Sequence, residues 1–154
     1  VIPVHLDADG LRVALTVLAE EITQRHDVAC RVGCPESIVL QENFVATQLY
    51  LIAREAVHNA IKHGSPTEVV ITVSDTDDRK PPGASSRQTN ADGLELSVTD
   101  NGTGLSDEDL ESSDGMGLQI MRYRSNMIGA DLLIEPGDND SGLRITCLMR
   151  ATES

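Results

Sequence analysis

A glutamate, an asparagine and a lysine, Glu55, Asn59 and Lys62, recur at four- and three-residue spacing in the stretch LYLIAREAVHNAIKHG, Leu49 to Gly64. That spacing stacks side chains along one side of a helix. A carboxylate, a carboxamide and an ammonium gathered there could hold a metal ion and anions. A solvated polar face would read the same way. Two glycine-rich turns downstream add further chemistry. In the first, Asp100-Asn101-Gly102-Thr103-Gly104, the aspartate sits where a strand pattern runs out. A buried acceptor there can take a hydrogen bond from an exocyclic amine such as adenine's, while Gly102 and Gly104 let the backbone approach a ligand closely. The second, Gly115-Met116-Gly117, opens a helix pattern. Unpaired N–H groups and the positive dipole end make that a phosphate site. Singly, one turn could be a hairpin and the other an ordinary helix start; in this order after the Glu55/Asn59 helix, chance explains them poorly.

The elements that must position these residues are legible from periodicity. Val45, Leu49, Ile52, Ala56 and Ala60 form one apolar stripe, predicting a helix over about residues 42–63 that His63-Gly64 closes with a basic last turn and a glycine. Before it, an N-cap signal at Asp9 opens a helix with Leu11, Ala14, Leu15, Leu18 and Ile22 on one side, and Val28–Cys34 reads as a strand ended by Pro35. After it, Thr67–Ser74 and Leu94–Thr99 read as strands that pair antiparallel across a polar, unpatterned stretch, 75–92, expected to be a flexible insertion. A helix over Gly115–Ile128 follows, with Gly129 suited to a left-handed turn, then strands Asp131–Glu135 and Leu143–Met149. The tally predicts an α+β sandwich in which helices cover one face of a mostly antiparallel sheet.

With 154 residues, the chain suits one domain with a proper core, and one Phe, two Tyr and no Trp make that core aliphatic. A formal net charge of −13 argues against a diffuse basic surface for nucleic acid, but not against a nucleotide pocket built from local donors. Three cysteines, Cys30, Cys34 and Cys147, without paired CxxC spacing, argue against a zinc site or a disulfide framework and fit a reducing compartment. No apolar run approaches the ~20 residues of a membrane span. The start at Val1 predicts a domain cut from a longer protein.

EAVHNAIKH resembles the N box of the GHKL ATPase superfamily, DNGTG its G1 box and GMGL its G2 box. Within that superfamily the chain is most similar to the ATP-binding catalytic domain of two-component sensor histidine kinases. LYLIAREAVHNAIKHG and GMGLQIMRYRSNMIGADLLIEP resemble the branch that partners NarL-type response regulators. The likeness runs from about Val4 to Arg150. It implies a Bergerat-type two-layer sandwich, a mixed, mostly antiparallel sheet covered on one face by about three helices, with residues 105–114 as a short ATP lid. It implies ATP and Mg²⁺ as ligands, with Asn59 coordinating the Mg²⁺ that bridges the phosphates and Glu55 orienting or deprotonating the attacking group. Asp100 matches the adenine-amine acceptor. Gly102 and Gly104 shape the adenine pocket, Gly115, Met116, Gly117 and the N–H of Leu118 match the phosphate-side turn, and Lys62 and His63 match positions near the phosphates. Three departures stand out: no phenylalanine-bearing F box is visible, Gly142-Leu143 replaces the family's Gly-Thr, and His58, read as a surface change, precedes Asn59.

A histidine kinase also needs an accepting histidine on a dimerising helical hairpin. His5 lies in an extended lead-in, His26 is a helix-end residue running into a strand, and His58 and His63 belong to the candidate site helix. The acceptor is therefore expected outside this chain. The implied function is donation of the ATP γ-phosphate to a histidine on a separate dimerisation domain, with a NarL-type response regulator downstream, no nucleic acid and no membrane contact, and a cytoplasmic location. The alternatives are an anti-sigma-factor-type serine kinase of the same superfamily and a non-catalytic nucleotide-binding module.

Overall fold

The computed structural model describes residues 10–35, 43–75, 93–103, 116–137 and 142–149. Among these, α1 (Gly10–Arg25), β1 (Ala29–Gly33), α2 (Asn43–Gly64), β2 (Glu68–Asp75), β3 (Leu94–Asp100), α3 (Met116–Met127), β4 (Ala130–Pro136) and β5 (Leu143–Met149) follow in the order predicted, with ends shifted by a residue or two. Asp9, the 76–92 part of the expected insertion, the expected lid at 105–114, His5, Gly104 and Gly115 lie outside the described residues.

The five strands form one sheet, β1-β2-β3-β5-β4. β1 pairs parallel to β2, and the other pairs are antiparallel, so the sheet is mixed as expected. Alternation puts Val69, Ile71 and Val73 of β2, Leu94, Leu96 and Val98 of β3, and Ile145, Cys147 and Met149 of β5 on a single buried face. The helices pack on that face: α1 on β1, α2 over β2, β3 and β5, and α3 on β4. Central α2 is flanked by α1 and α3, so it is buried almost all round, from Val45 and Ala46 through Leu49, Ile52, Ala53, Ala56 and Val57 to Ala60. That demands more apolar residues than the single stripe read from periodicity.

Among the described residues, the buried Tyr50 hydroxyl of this core has no hydrogen-bond partner, whereas other buried polar side chains are paired. Ser125 Oγ on α3 lies 3.6 Å from Cys147 Sγ on β5. Tyr50 is buried on the α1 side of α2; burial pushes its phenol up, Arg54, whose guanidinium is 5.9 Å from the ring centre, opposes this, and Glu21 of α1 adds to it. No described helix is long and apolar enough to cross a membrane.

One expected terminus is built differently. Gly64 still belongs to α2, and the left-handed residue after it is Ser65, at φ 45°. Gly64 instead packs its backbone against the turn that follows β3, a contact described below that a reading of helix ends alone does not anticipate. Gly129, by contrast, adopts φ 70° after α3 as expected.

Candidate functional site

Asp100 ends β3 on the buried face, 6% exposed. Three backbone segments enclose it. Its Oδ1 accepts the N–H of Gly102 at 2.8 Å. Gly64 of α2 comes next to it, since a Cβ on Gly64 would lie 3.6 Å from Asp100 Oδ1. Gly142, at φ 76°, leads into β5 so tightly that a Cβ there would run into the Asp100 carbonyl and sit 2.8 Å from Oδ1. Burial raises the Asp100 carboxyl above the usual carboxylate range, and the N–H groups of Gly102 and Leu143 pull it partly back. The result is a recessed carboxylate whose enclosing walls are backbone rather than bulky side chains.

The turn after Asp100 is fastened at both ends. Asn101 Oδ1 accepts the N–H groups of Thr67 and Glu68, each at 2.9 Å, and its Nδ2 donates to Thr67 Oγ1 at 2.8 Å. Thr103 N–H then donates to the Gly64 carbonyl at 2.9 Å, and its hydroxyl to the His63 carbonyl at 3.5 Å. These two bonds occupy carbonyls at the C-terminus of α2 that its own ladder leaves free. A Cβ on Gly102 would strike the Gly64 carbonyl oxygen and lie 2.7 Å from its carbon, so the turn and the helix end touch backbone to backbone.

At the other end of the same helix segment, Glu55 and Asn59 are half-buried and face the start of α3. A Cβ on Gly117 would be 2.6 Å from Asn59 Nδ2, 2.7 Å from Glu55 Oε1 and 2.9 Å from Asn59 Oδ1. The first turn of α3, with the backbone of Met116 and the buried Leu118, therefore rests directly on that pair. Lys62 is exposed and His63 half-exposed on the last turn. Between Glu55 and Gly64 the helix rises about 14 Å at 1.5 Å per residue. One glycine turn meets α2 at each end of that span.

Two histidines complete the surroundings. His26 closes α1, its N–H donating to the Ile22 carbonyl at 2.9 Å, as a helix-end residue should. His58 is exposed on α2; partial desolvation, with Arg54 and His26 nearby, holds its imidazole below the ordinary range, while Glu55 opposes the shift. No cluster of three or more His, Cys, Asp or Glu side chains that could hold a metal ion occurs among the described residues.

This arrangement has known counterparts. The model of the histidine kinase-, DNA gyrase B-, and HSP90-like ATPase family matches residues 44–153 of the 154. The chain belongs to that family. Among similar proteins, the nitrate/nitrite sensor protein NarX of Escherichia coli is 31% identical over 127 residues, which are 82% of this chain and 19% of that protein. The chain thus spans about a fifth of the length of the curated relatives it matches. Among solved structures, the ATP binding domain of PrrB from Mycobacterium tuberculosis superposes with a TM-score of 0.62 at 19% identity, covering 92% of this chain and 93% of that one. The blue-light activated histidine kinase of Erythrobacter litoralis superposes with a TM-score of 0.64 at 18% identity, covering 96% of this chain and 45% of that one. The α+β sandwich of this ATPase family member is therefore the fold of histidine kinase ATP-binding domains.

Three contributors to the site escaped the sequence reading. Sequence alone marks Gly64 as a helix terminator and Gly142-Leu143 as a departure from a pattern, and gives Asn101 no role beyond membership of a glycine turn. Each acts through backbone contacts with a segment remote in sequence, for which composition and periodicity carry no signal.

Proposed function

We propose that this chain binds Mg²⁺-ATP and presents the γ-phosphate to a histidine on a separate dimerisation domain of a sensor kinase, with a NarL-type response regulator as the downstream partner. One observation carries this reading. The same stretch of α2 meets a recessed carboxylate at one end and a glycine helix start, resting on Glu55 and Asn59, at the other. A carboxylate pocket for an amine-bearing base and a row of N–H groups for phosphates, separated along one helix, is what a nucleotide needs.

The roles follow from chemistry. Asp100 accepts the adenine amine, and Gly102 keeps the pocket wall thin; Gly104 belongs to the same motif in sequence. Met116, Gly117 and Leu118 offer backbone N–H groups at the N-terminus of α3 to the phosphates, with Gly115 preceding them in the motif. Lys62 and His63 are assigned to the phosphates by the family resemblance alone, since both stand on the last turn of α2, at the Asp100 end. Asn59 gives a neutral oxygen to Mg²⁺, which prefers oxygen donors, keeps several waters and is usually bound with phosphate oxygens instead of a protein cage; the donor set fits. The ion, when bound, neutralises phosphate charge. Glu55, one turn from Asn59, orients or accepts the proton of the attacking group. Phosphoryl transfer needs little covalent work from protein, so positioning and charge stabilisation carry the catalysis.

Calorimetric titration tests the assignment of the metal ligand. The parent chain should bind ATP more tightly with Mg²⁺ than without, and Asn59→Ala should lose that difference while keeping its thermal unfolding midpoint. An unchanged Mg²⁺-ATP titration in Asn59→Ala would overturn it.

A further inference from the structure

α2 and α3 are also joined away from the candidate site. Gln48 is buried on α2, and its Oε1 accepts a hydrogen bond from Arg124 Nη1 on α3 at 2.9 Å. A guanidinium only donates, so Gln48 must turn its carbonyl oxygen towards it, and the bond is charge-assisted. The core around it is aliphatic, with Leu49 and Ile52 of α2 and Leu118 and Met121 of α3 in one cluster. Aliphatic surfaces repack and slide at modest cost. A buried directional bond to a charge does not.

The positions of the two contacts give this bond a purpose. Gly117 meets Glu55 and Asn59, whereas Arg124, seven residues later, meets Gln48, seven residues before Glu55. The helices therefore run antiparallel, and the contacts are two rungs separated by two turns, about 10 Å, on each helix. Seven residues return nearly to the same helical face, so both rungs lie along one seam. We infer that Gln48 and Arg124 are a positioning pair, whose hydrogen bond fixes the register of α3 along α2 and thereby the distance of the Gly117 turn from Glu55 and Asn59. The inference rests on the reading of that turn as the phosphate side. The base side is fastened independently, through Thr103 and Asn101, and does not depend on the pair.

The test compares a triphosphate with a bare nucleoside. The parent chain, Gln48→Leu, Arg124→Met, the double variant and Gln48→Glu are titrated with Mg²⁺-ATP and with adenosine. Amide hydrogen exchange is followed without nucleotide. In each single variant Mg²⁺-ATP should bind roughly tenfold more weakly, equivalent to about 1.4 kcal/mol, with adenosine unchanged. The double variant should be no worse than either single one, and Gln48→Glu, which keeps an acceptor facing the guanidinium, should restore the parent's ATP affinity. Exchange should quicken at Ile120 and Met121, whose helical hydrogen bonds reach back to Met116 and Gly117, while β2 and β3 keep their protection. Equal weakening of ATP and adenosine, or additive losses in the double variant, would make the pair merely structural and overturn the inference. Should the parent chain fail to bind ATP, the proposed function fails on its own, and exchange decides the register: quickening in Gln48→Leu reversed in Gln48→Glu supports it, and unchanged exchange overturns it.

Discussion

Asp100 is asked to satisfy two opposed demands. Recognition of an amine needs a carboxylate inside the fold, and burial there raises its pKa. A group with a raised folded pKa binds its proton more tightly in the native state than in the unfolded chain. Its contribution to stability is fully present below the unfolded pKa and is lost as pH rises through the folded value. At neutral pH the ionised Asp100 therefore costs stability. Asp100→Asn should raise the thermal midpoint of the nucleotide-free protein at pH 7, and the gain should vanish as pH falls to about 4, the ordinary carboxylate range. Unfolding curves at both pH values check the sign. Asp100→Ala should weaken ATP binding by roughly ten- to a hundredfold, the ~1.5–3 kcal/mol of a hydrogen bond to a charged group; equal binding of ATP and GTP by the parent would count against the role. Glu55 makes a different demand. In its proposed role it acts on the attacking group and not on the nucleotide, so Glu55→Gln should leave ATP affinity nearly intact while slowing transfer.

Contacts between elements separate two glycines that look alike in sequence. At Gly102 an added Cβ meets the backbone carbonyl of Gly64, which α2 holds in place, so Gly102→Ala should destabilise the fold by about 1–3 kcal/mol. At Gly117 the added atom meets the ends of the Glu55 and Asn59 side chains, which can rotate away. Gly117→Ala should therefore unfold at nearly the parent temperature and lose Mg²⁺-ATP affinity instead; denaturation and titration of both variants distinguish the cases. The same contrast explains what could be read before the fold was known. The apolar stripe of α2, the alternation of β3 and the glycine before β4 are local patterns, and each named its element. Gly102 pressing on Gly64, or Arg124 reaching Gln48 across 76 residues, depends on which elements become neighbours. Local periodicity does not encode that. Glu55, Asn59 and Gly117 were legible as candidates because helical spacing and a helix start are local; that Gly117 rests on the other two was not.

For the whole molecule, the decisive question is whether the chain acts alone. His26 follows the last turn of α1 and His58 is exposed on the site helix itself, so neither stands on a helical hairpin separate from the candidate site. On the proposed function the chain should bind ATP without labelling itself, and should phosphorylate a supplied dimerising-hairpin domain of a sensor histidine kinase. Radiolabelled ATP, with and without the hairpin, checks this. Acid-labile label on the chain alone, abolished in His26→Ala, would move the acceptor into this domain.

With no tryptophan anywhere, the protein is nearly dark under selective ultraviolet excitation, and its faint emission comes from two phenols in contrasting places. Tyr50 is 3% exposed beside α1, while Tyr123 is 67% exposed on α3. A dissolved quencher would dim the second and spare the first. Replacing Tyr123 with tryptophan would light up α3 alone, against a background that the rest of the chain leaves black.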